Sequence, residues 1–213
     1  MSILRYTASA DNTITNAYDY TLINRGTGSN MGYADALEVF SIYGETTSSA
    51  GMSQQLSRIL INFPISQIAA DRTAGILPAS GSASFYLKMY NAETPFTLPQ
   101  DFTLVVAPVS QSWVEGTGLD MDEYTDKGVS NWMSASDGVG WTEVGGDYLT
   151  ASNFKATFPQ GYENLEVDVS EIVERWITTG NEFTNYGFGV RLTSSQEAYF
   201  SSSLGDVGDG NSG

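Results

Sequence analysis

Apolar and polar side chains alternate along several short stretches of this chain, and between 169 and 176 the period lengthens to that of a helix. Leu165, Val167 and Val169 alternate with Glu166 and Asp168, the pattern of a strand with one buried face. Val169, Ile172, Val173 and Trp176 then fall on one helical stripe. Ser170 stands where an N-cap accepts backbone N–H groups, and Gly180 can supply the left-handed turn that ends a helix. After Asn185-Tyr186-Gly187 the run Phe188, Val190, Leu192 returns to period two. A lone two-turn helix between strands, in a chain rich in strand and turn residues, is expected to close one end of a sandwich.

The remaining elements follow from the same pattern. A first strand is expected around Leu4 to Thr7, followed by the polar run Ser9 to Thr15 and a long turn from Asn24 to Asn30. Leu37 and Val39 face one side of the next strand, and the small polar stretch Thr46 to Ser53 reads as an exposed loop. Arg58 to Phe63 is nearly continuous in apolar residues, which suits a central strand, and Pro64 ends it. A short helical turn is expected around Gln67 to Ala70. Ala83, Phe85, Leu87 and Met89 alternate with Ser84, Tyr86, Lys88 and Tyr90, and Leu104 to Val109 makes a further strand.

These landmarks resemble a DNRLRE-type module, a jelly-roll relative of carbohydrate-binding modules. The resemblance rests on Asp168-Val169-Ser170, Ile172, Val173, Trp176 and Asn185-Tyr186-Gly187-Phe188. Earlier in the chain it rests on Ala10-Asp11, Asn30-Met31-Gly32 with Leu37 and Val39, Arg58 leading Ile59 to Phe63, and Ser112-Trp113-Val114-Glu115-Gly116. Together these cover residues 8–200. The resemblance implies an all-β, jelly-roll-like β-sandwich with one short helix capping an end, and a non-catalytic module of extracellular and surface proteins. A fold of this kind does not by itself carry a function.

Composition narrows the chemistry. At 213 residues and 41% hydrophobic content the chain can bury a full core as one domain, expected over 1–200. Its 25 acidic residues against 9 basic ones give a formal charge of −16, so nucleic acid and anionic membrane surfaces are repelled. No apolar run has the length of a membrane span. The chain has neither cysteine nor histidine. Disulfides, zinc–thiolate sites, Ser-His-Asp and Cys-His constellations and histidine general bases are therefore excluded.

From Gln111 to Asp147 the chain changes character, with Trp113, Trp132 and Trp141, many glycines, and the acidic cluster Asp120, Asp122, Glu123 and Asp126. Two readings stand for the tryptophans: core rings that close the sandwich end near the Trp176 helix, or a sugar-stacking platform. For the acids, Asp120, Asp122 and Asp126 can offer oxygen ligands to a structural calcium, although the spacing is not that of an EF-hand; a solvated acidic loop is the other reading. No other cofactor is expected.

The segment 201–213, with Leu204 and Val207 as its sizeable apolar residues, reads as a flexible linker or tail that orders on a neighbouring subunit. The N-terminus lacks the basic region and apolar core of a secretory signal. Synthesis in a host cytoplasm and a final place in a virion reconcile this with a surface-type module. The first expectation is thus a non-catalytic structural or adhesion component of a phage virion, partnered by other virion proteins, copies of itself or surface glycans. The alternative is a carbohydrate-binding module of a surface or secreted protein. An acid-pair glycosidase or lyase is the third reading, supported by carboxylate abundance alone.

Overall fold

A computed structural model describes residues 3–19, 23–47, 51–95, 97–119, 129–178, 184–198, 200–201 and 205–206. The fold is all-β and sandwich-like, with antiparallel sheets and a few short helices. One six-stranded sheet organises it: β1 (Ala10–Thr15), β3 (Gly51–Asn62), β10 (Phe188–Leu192), β5 (Phe102–Pro108) and β8 (Phe154–Phe158) lie side by side, and β2 (Ser41–Thr47) pairs with the N-terminal half of β3. A second layer is the antiparallel pair of β4 (Tyr86–Met89) and β9 (Leu165–Asp168), with helices α1 (Ile65–Thr73) and α2 (Ser170–Ile177).

Strand alternation splits the core in two. Ile59 and Ile61 of β3, Val106 of β5 and Phe188 and Val190 of β10 point toward the second layer, where they meet Leu87, Leu165, Val167, Ile172, Val173 and Trp176. Leu56 and Leu60 of β3, one residue out of phase, point to the opposite face with Ile14. That face is covered by the long segment after β5, through Val109, Trp132, Ala135 and Trp141. This segment holds a small hairpin, β6 (Ser134–Ser136) and β7 (Val139–Gly140). The protein is therefore layered as two-stranded sheet and helices, main sheet, and tryptophan-bearing segment.

The expected helix and the strands before and after it form, and Val169, Ile172, Val173 and Trp176 are buried. The capping differs from expectation. Val169 takes the N-cap position without a side-chain cap, and Ser170 is the first helical residue. Its hydroxyl accepts the Phe85 amide at 2.7 Å, tying α2 to the strand beside it. Asp168 does the capping instead: its Oδ1 accepts the Ser170 amide at 2.9 Å, and hydrogen bonds from Ser170 hold its carboxyl below the usual range. At the other end the Thr178 amide and hydroxyl both donate to the Glu174 carbonyl. Gly180 lies outside the described residues.

The turn expected at 67–70 is the middle of α1, whose Arg72 makes a paired contact with Glu174 of α2 at 2.6 and 2.7 Å. Ser80 adds a third hydrogen bond to the same carboxylate. The Arg72 hydrogen bond is the main reason that Glu174 ionises below its ordinary range. A carboxyl with a depressed folded value stabilises the fold above its unfolded pKa, about 4.3 for glutamate, and loses that contribution as pH falls through the folded value. Glu174→Gln should therefore flatten the fall in stability below about pH 4.3. Urea midpoints from neutral to acid pH would show it; parallel curves for the two proteins contradict the assignment.

Three sequence expectations are corrected. Residues 4–7 form no strand; the first strand is the polar run, Ala10–Thr15. Residues 37–40 run as irregular chain, and strand β2 begins at Ser41. Most of the loop expected at 46–53 is ladder, because Thr46 and Thr47 pair with Met52 and Gly51. Small polar residues leave no apolar alternation to read, yet their backbone groups pair as well as any others. In the tail, Phe200–Ser201 and Gly205–Asp206 form a two-residue ladder, and 202–204 and 207–213 lie outside the described residues.

Candidate functional site

The landmark residues converge on the sheet face that carries the tryptophans. Asn12 and Asn30 are fully buried. The Asn12 amide donates to the Ser130 carbonyl and hydroxyl, both at 2.9 Å, and its Oδ1 accepts the Met31 amide at 2.8 Å. Asn30 donates to the carbonyls of Glu115 and Ser130, and its Oδ1 accepts the amides of Gly32 and Gly118. Close approach explains the glycines: a Cβ on Gly118 would stand 1.9 Å from the Asn30 carbonyl oxygen, and one on Gly32 2.6 Å from that of Glu115. Two irregular segments, 30–33 and 114–118, are locked together by the Asn30 amide and by the Tyr33 N–H donating to the Gly118 carbonyl, while Asn12 ties 31 and 130 to β1.

Asn30→Ala should cost at least about 2 kcal/mol, since it strands several buried backbone groups and each such loss costs ~1–3 kcal/mol. Chemical denaturation measures it; a loss below about 0.5 kcal/mol would mean that water replaces the amide.

The acid beside this lock is Glu115, whose Oε1 accepts the Asp11 amide at 2.8 Å. Burial first, and then the charge of Glu115, raise the Asp11 carboxyl above its usual range. The pair belongs to the edge of the framework, where Glu115 fixes the start of β1. Asp120, Asp122 and Asp126 lie outside the described residues. Among the described residues no group of three or more histidine, cysteine, aspartate or glutamate side chains is placed to hold a metal ion.

The tryptophans occupy other positions than a platform requires. Trp132 is 2% and Trp141 7% exposed, so neither presents a face for a sugar, and the stacking expectation for these two is corrected. Half-buried Trp113 donates its indole N–H to the Tyr186 carbonyl at 2.8 Å. Their location is also corrected: they cover the face of the main sheet opposite Trp176. The reason is Arg58. As the third residue of an outward set with Leu56 and Leu60, it would place a charge in an apolar layer, and the aromatic segment wraps it. Its guanidinium lies 5.1 Å from the Trp132 ring centre and 5.9 Å from that of Tyr148.

Arg58 also grips Glu197 in two parallel hydrogen bonds, 3.0 and 2.7 Å, and donates to the Gly145 carbonyl at 3.0 Å. Glu197 ends the short helix α3 (Ser194–Glu197) and is 4% exposed. Burial opposes the Arg58 charge, but the neighbouring Tyr148 and Glu197 outweigh it and hold the guanidinium protonated. Burial pushes the Tyr148 hydroxyl up to about 12, so it remains neutral and donates to the Gly145 carbonyl. Every acid and base in this cluster is committed to a partner inside the fold.

The solvent side of the second layer is different. On the outer face of β4–β9, Tyr86 is 57% exposed, and Tyr90, just past the strand, is 69% exposed. Lys88 lies between them, bridged to Glu166 of β9 at 2.8 Å. Tyr162, before β9, is also exposed. Tyr86, Lys88 and Tyr90 are the positions that alternate with Phe85, Leu87 and Met89 in the strand pattern. Among the described residues no helix is long and apolar enough to cross a membrane. No protein-family model, curated protein or solved structure matches this chain.

Proposed function

We propose that this chain is a non-catalytic β-module that works through surface contacts, as a structural or adhesion component of a phage particle. The observation that carries the reading is the fate of the polar landmarks: Asn12, Asn30, Glu115, Arg58 and Glu197 are spent on internal locks that make the main sheet and its aromatic cover one body. A rigid scaffold with a charge of −16 presents shape and surface to partners such as other particle proteins or further copies. Absence of cysteine and histidine agrees with this, because it removes the commonest nucleophiles and bases.

Two measurements test the proposal. Immunogold labelling of purified particles from the source should decorate them at regular positions; unlabelled particles overturn the virion assignment. Glycan and ester substrates at micromolar protein should show no turnover, and turnover abolished by Glu115→Gln would overturn the non-catalytic assignment.

A further inference from the structure

We infer that the outer edge of β8 joins two copies of this chain into a two-fold dimer, in which the main sheets run on into each other through antiparallel β8 strands. The two ends of the strand row differ. At one end β1 is covered, because the Asn12 and Thr13 side chains accept the amides of Met31 and Glu38. The other end is β8. The Val109 amide donates to the Gly187 carbonyl on the β10 side, and the Pro108 carbonyl accepts the Leu149 amide on the β8 side. Backbone groups alternate from there along β5, so Val106, Leu104 and Phe102 turn theirs to Phe154, Ala156 and Phe158. Lys155 and Thr157 lie between these and are exposed. Their N–H and C=O groups point away from the sheet and have no hydrogen-bond partner among the described residues.

The edge sequence selects its occupant. Phe154-Lys155-Ala156-Thr157-Phe158 has the same character in both directions: aromatic, polar, small, polar, aromatic. With Ala156 opposite its own mate, Lys155 of each copy forms a hydrogen-bonded pair with Thr157 of the other, about four bonds in all. Lysine on an edge strand ordinarily deters pairing. In this register each Lys155 faces a threonine rather than the other lysine, and half-buried Phe154 comes beside the other copy's Phe158, whose own-chain neighbour Phe102 is stacked on it at 4.8 Å. Pro159 has no N–H with which to extend the ladder. Charge permits the approach. β5 and β8 carry one charged side chain between them, Lys155, and register aligns it through Val105 with Arg191 of β10. The flanking acids Asp101, Asp147 and Glu163 lie outside both strands, and at physiological salt charges farther apart than about 8 Å are screened. Short strands make a small interface, so the association is weak and dilution reverses it. The inference rests on the assembly proposal for its role and deepens it by naming a surface through which copies meet. The two fail separately, since the isolated protein tests the edge and labelled particles test the proposal.

The test is sedimentation velocity of the full chain from micromolar to millimolar concentration, where the parent should show a reversible monomer–dimer equilibrium. Thr157→Pro removes an outward N–H from each copy and none that β5 uses, so it should weaken dimerisation about tenfold or more while the monomer melts as the parent monomer does. The chain has no cysteine, so single cysteines report the register. Ala156→Cys should form a disulfide-linked dimer under copper–phenanthroline oxidation, because opposed residues of a non-hydrogen-bonded pair stand about 4.5 Å apart at Cα, within disulfide range. Exposed Asn153→Cys, about 20 Å from its mate in this register, should not. The inference is overturned if the parent stays monomeric to millimolar concentration, if Thr157→Pro dimerises as the parent does, or if Ala156→Cys crosslinks no better than Asn153→Cys. Should Thr157→Pro fail to fold, crosslinking at 156 against 153 decides alone.

Discussion

Arg58→Met should destabilise the protein by about 3–5 kcal/mol, the range for removing one partner of a buried ion pair. The penalty comes from what is left behind. Glu197 is 4% exposed and takes both of its strong hydrogen bonds from Arg58. Without the guanidinium its buried carboxylate loses its ion-pair partner and both of those hydrogen bonds, and the Gly145 carbonyl loses a donor. Arg58 also lies over the Trp132 ring, so its loss loosens the aromatic cover of the main sheet. The double variant Arg58→Met/Glu197→Met should recover much of the loss, because two apolar groups of similar size leave no stranded charge. Urea denaturation of the two single variants and the double one gives the coupling directly. Additive effects would show that the pair is not coupled and that Arg58 acts through packing alone.

That pair also marks the limit of what the sequence discloses. The strand containing Arg58 is legible because Ile59, Leu60 and Ile61 crowd together in a nearly unbroken apolar run. Its partner is not, because Glu197 lies 139 residues away and local pattern says nothing about such contacts. The helix at 170–177 is legible for the opposite reason: its stripe and its neighbouring strands are local, although the pattern assigns the cap to Ser170 rather than Asp168. Strand β1 is the instructive failure. Three of its four buried side chains, Asn12, Thr13 and Thr15, are polar; Asn12 and Thr13 bond to the irregular segments that face them, and Thr15 donates to the Leu56 carbonyl of β3. With one apolar side chain, Ile14, among them, these positions show no alternation that would mark a strand, which is why the pattern places the first strand at Leu4 to Thr7 instead.

The candidate sites divide along the same line. Tryptophan content drew attention to 111–147, but large rings in a long connection most often serve as its core. Trp132 and Trp141 have that role here. The alternation of β4 is legible, whereas the pairing of Tyr86 with Asp168 and of Lys88 with Glu166 needs the fold. The alternation of a strand is thus written locally, whereas its cross-strand partners are assembled by register.

Trp176→Ala should cost about 3–5 kcal/mol, as for deletion of a large buried aromatic. Trp176 is 8% exposed and packs its ring 4.8 Å from that of Phe188 on β10, with a tilt of 56°. It therefore joins α2 to the second layer's face of the main sheet, beside Ile172 and Val173. Trp176→Phe separates two contributions. Among the described residues the buried indole N–H has no hydrogen-bond partner, a cost that phenylalanine removes. The smaller ring forfeits packing but relieves that stranded donor, so the loss should be well under half of the alanine value. Denaturation midpoints with near-ultraviolet circular dichroism check both variants. A loss below about 1 kcal/mol for alanine, with the tertiary spectrum unchanged, would place α2 outside the cooperative core. A phenylalanine variant as unstable as the alanine one would show instead that the indole's full volume, rather than its apolar contact with Phe188, holds the helix in place.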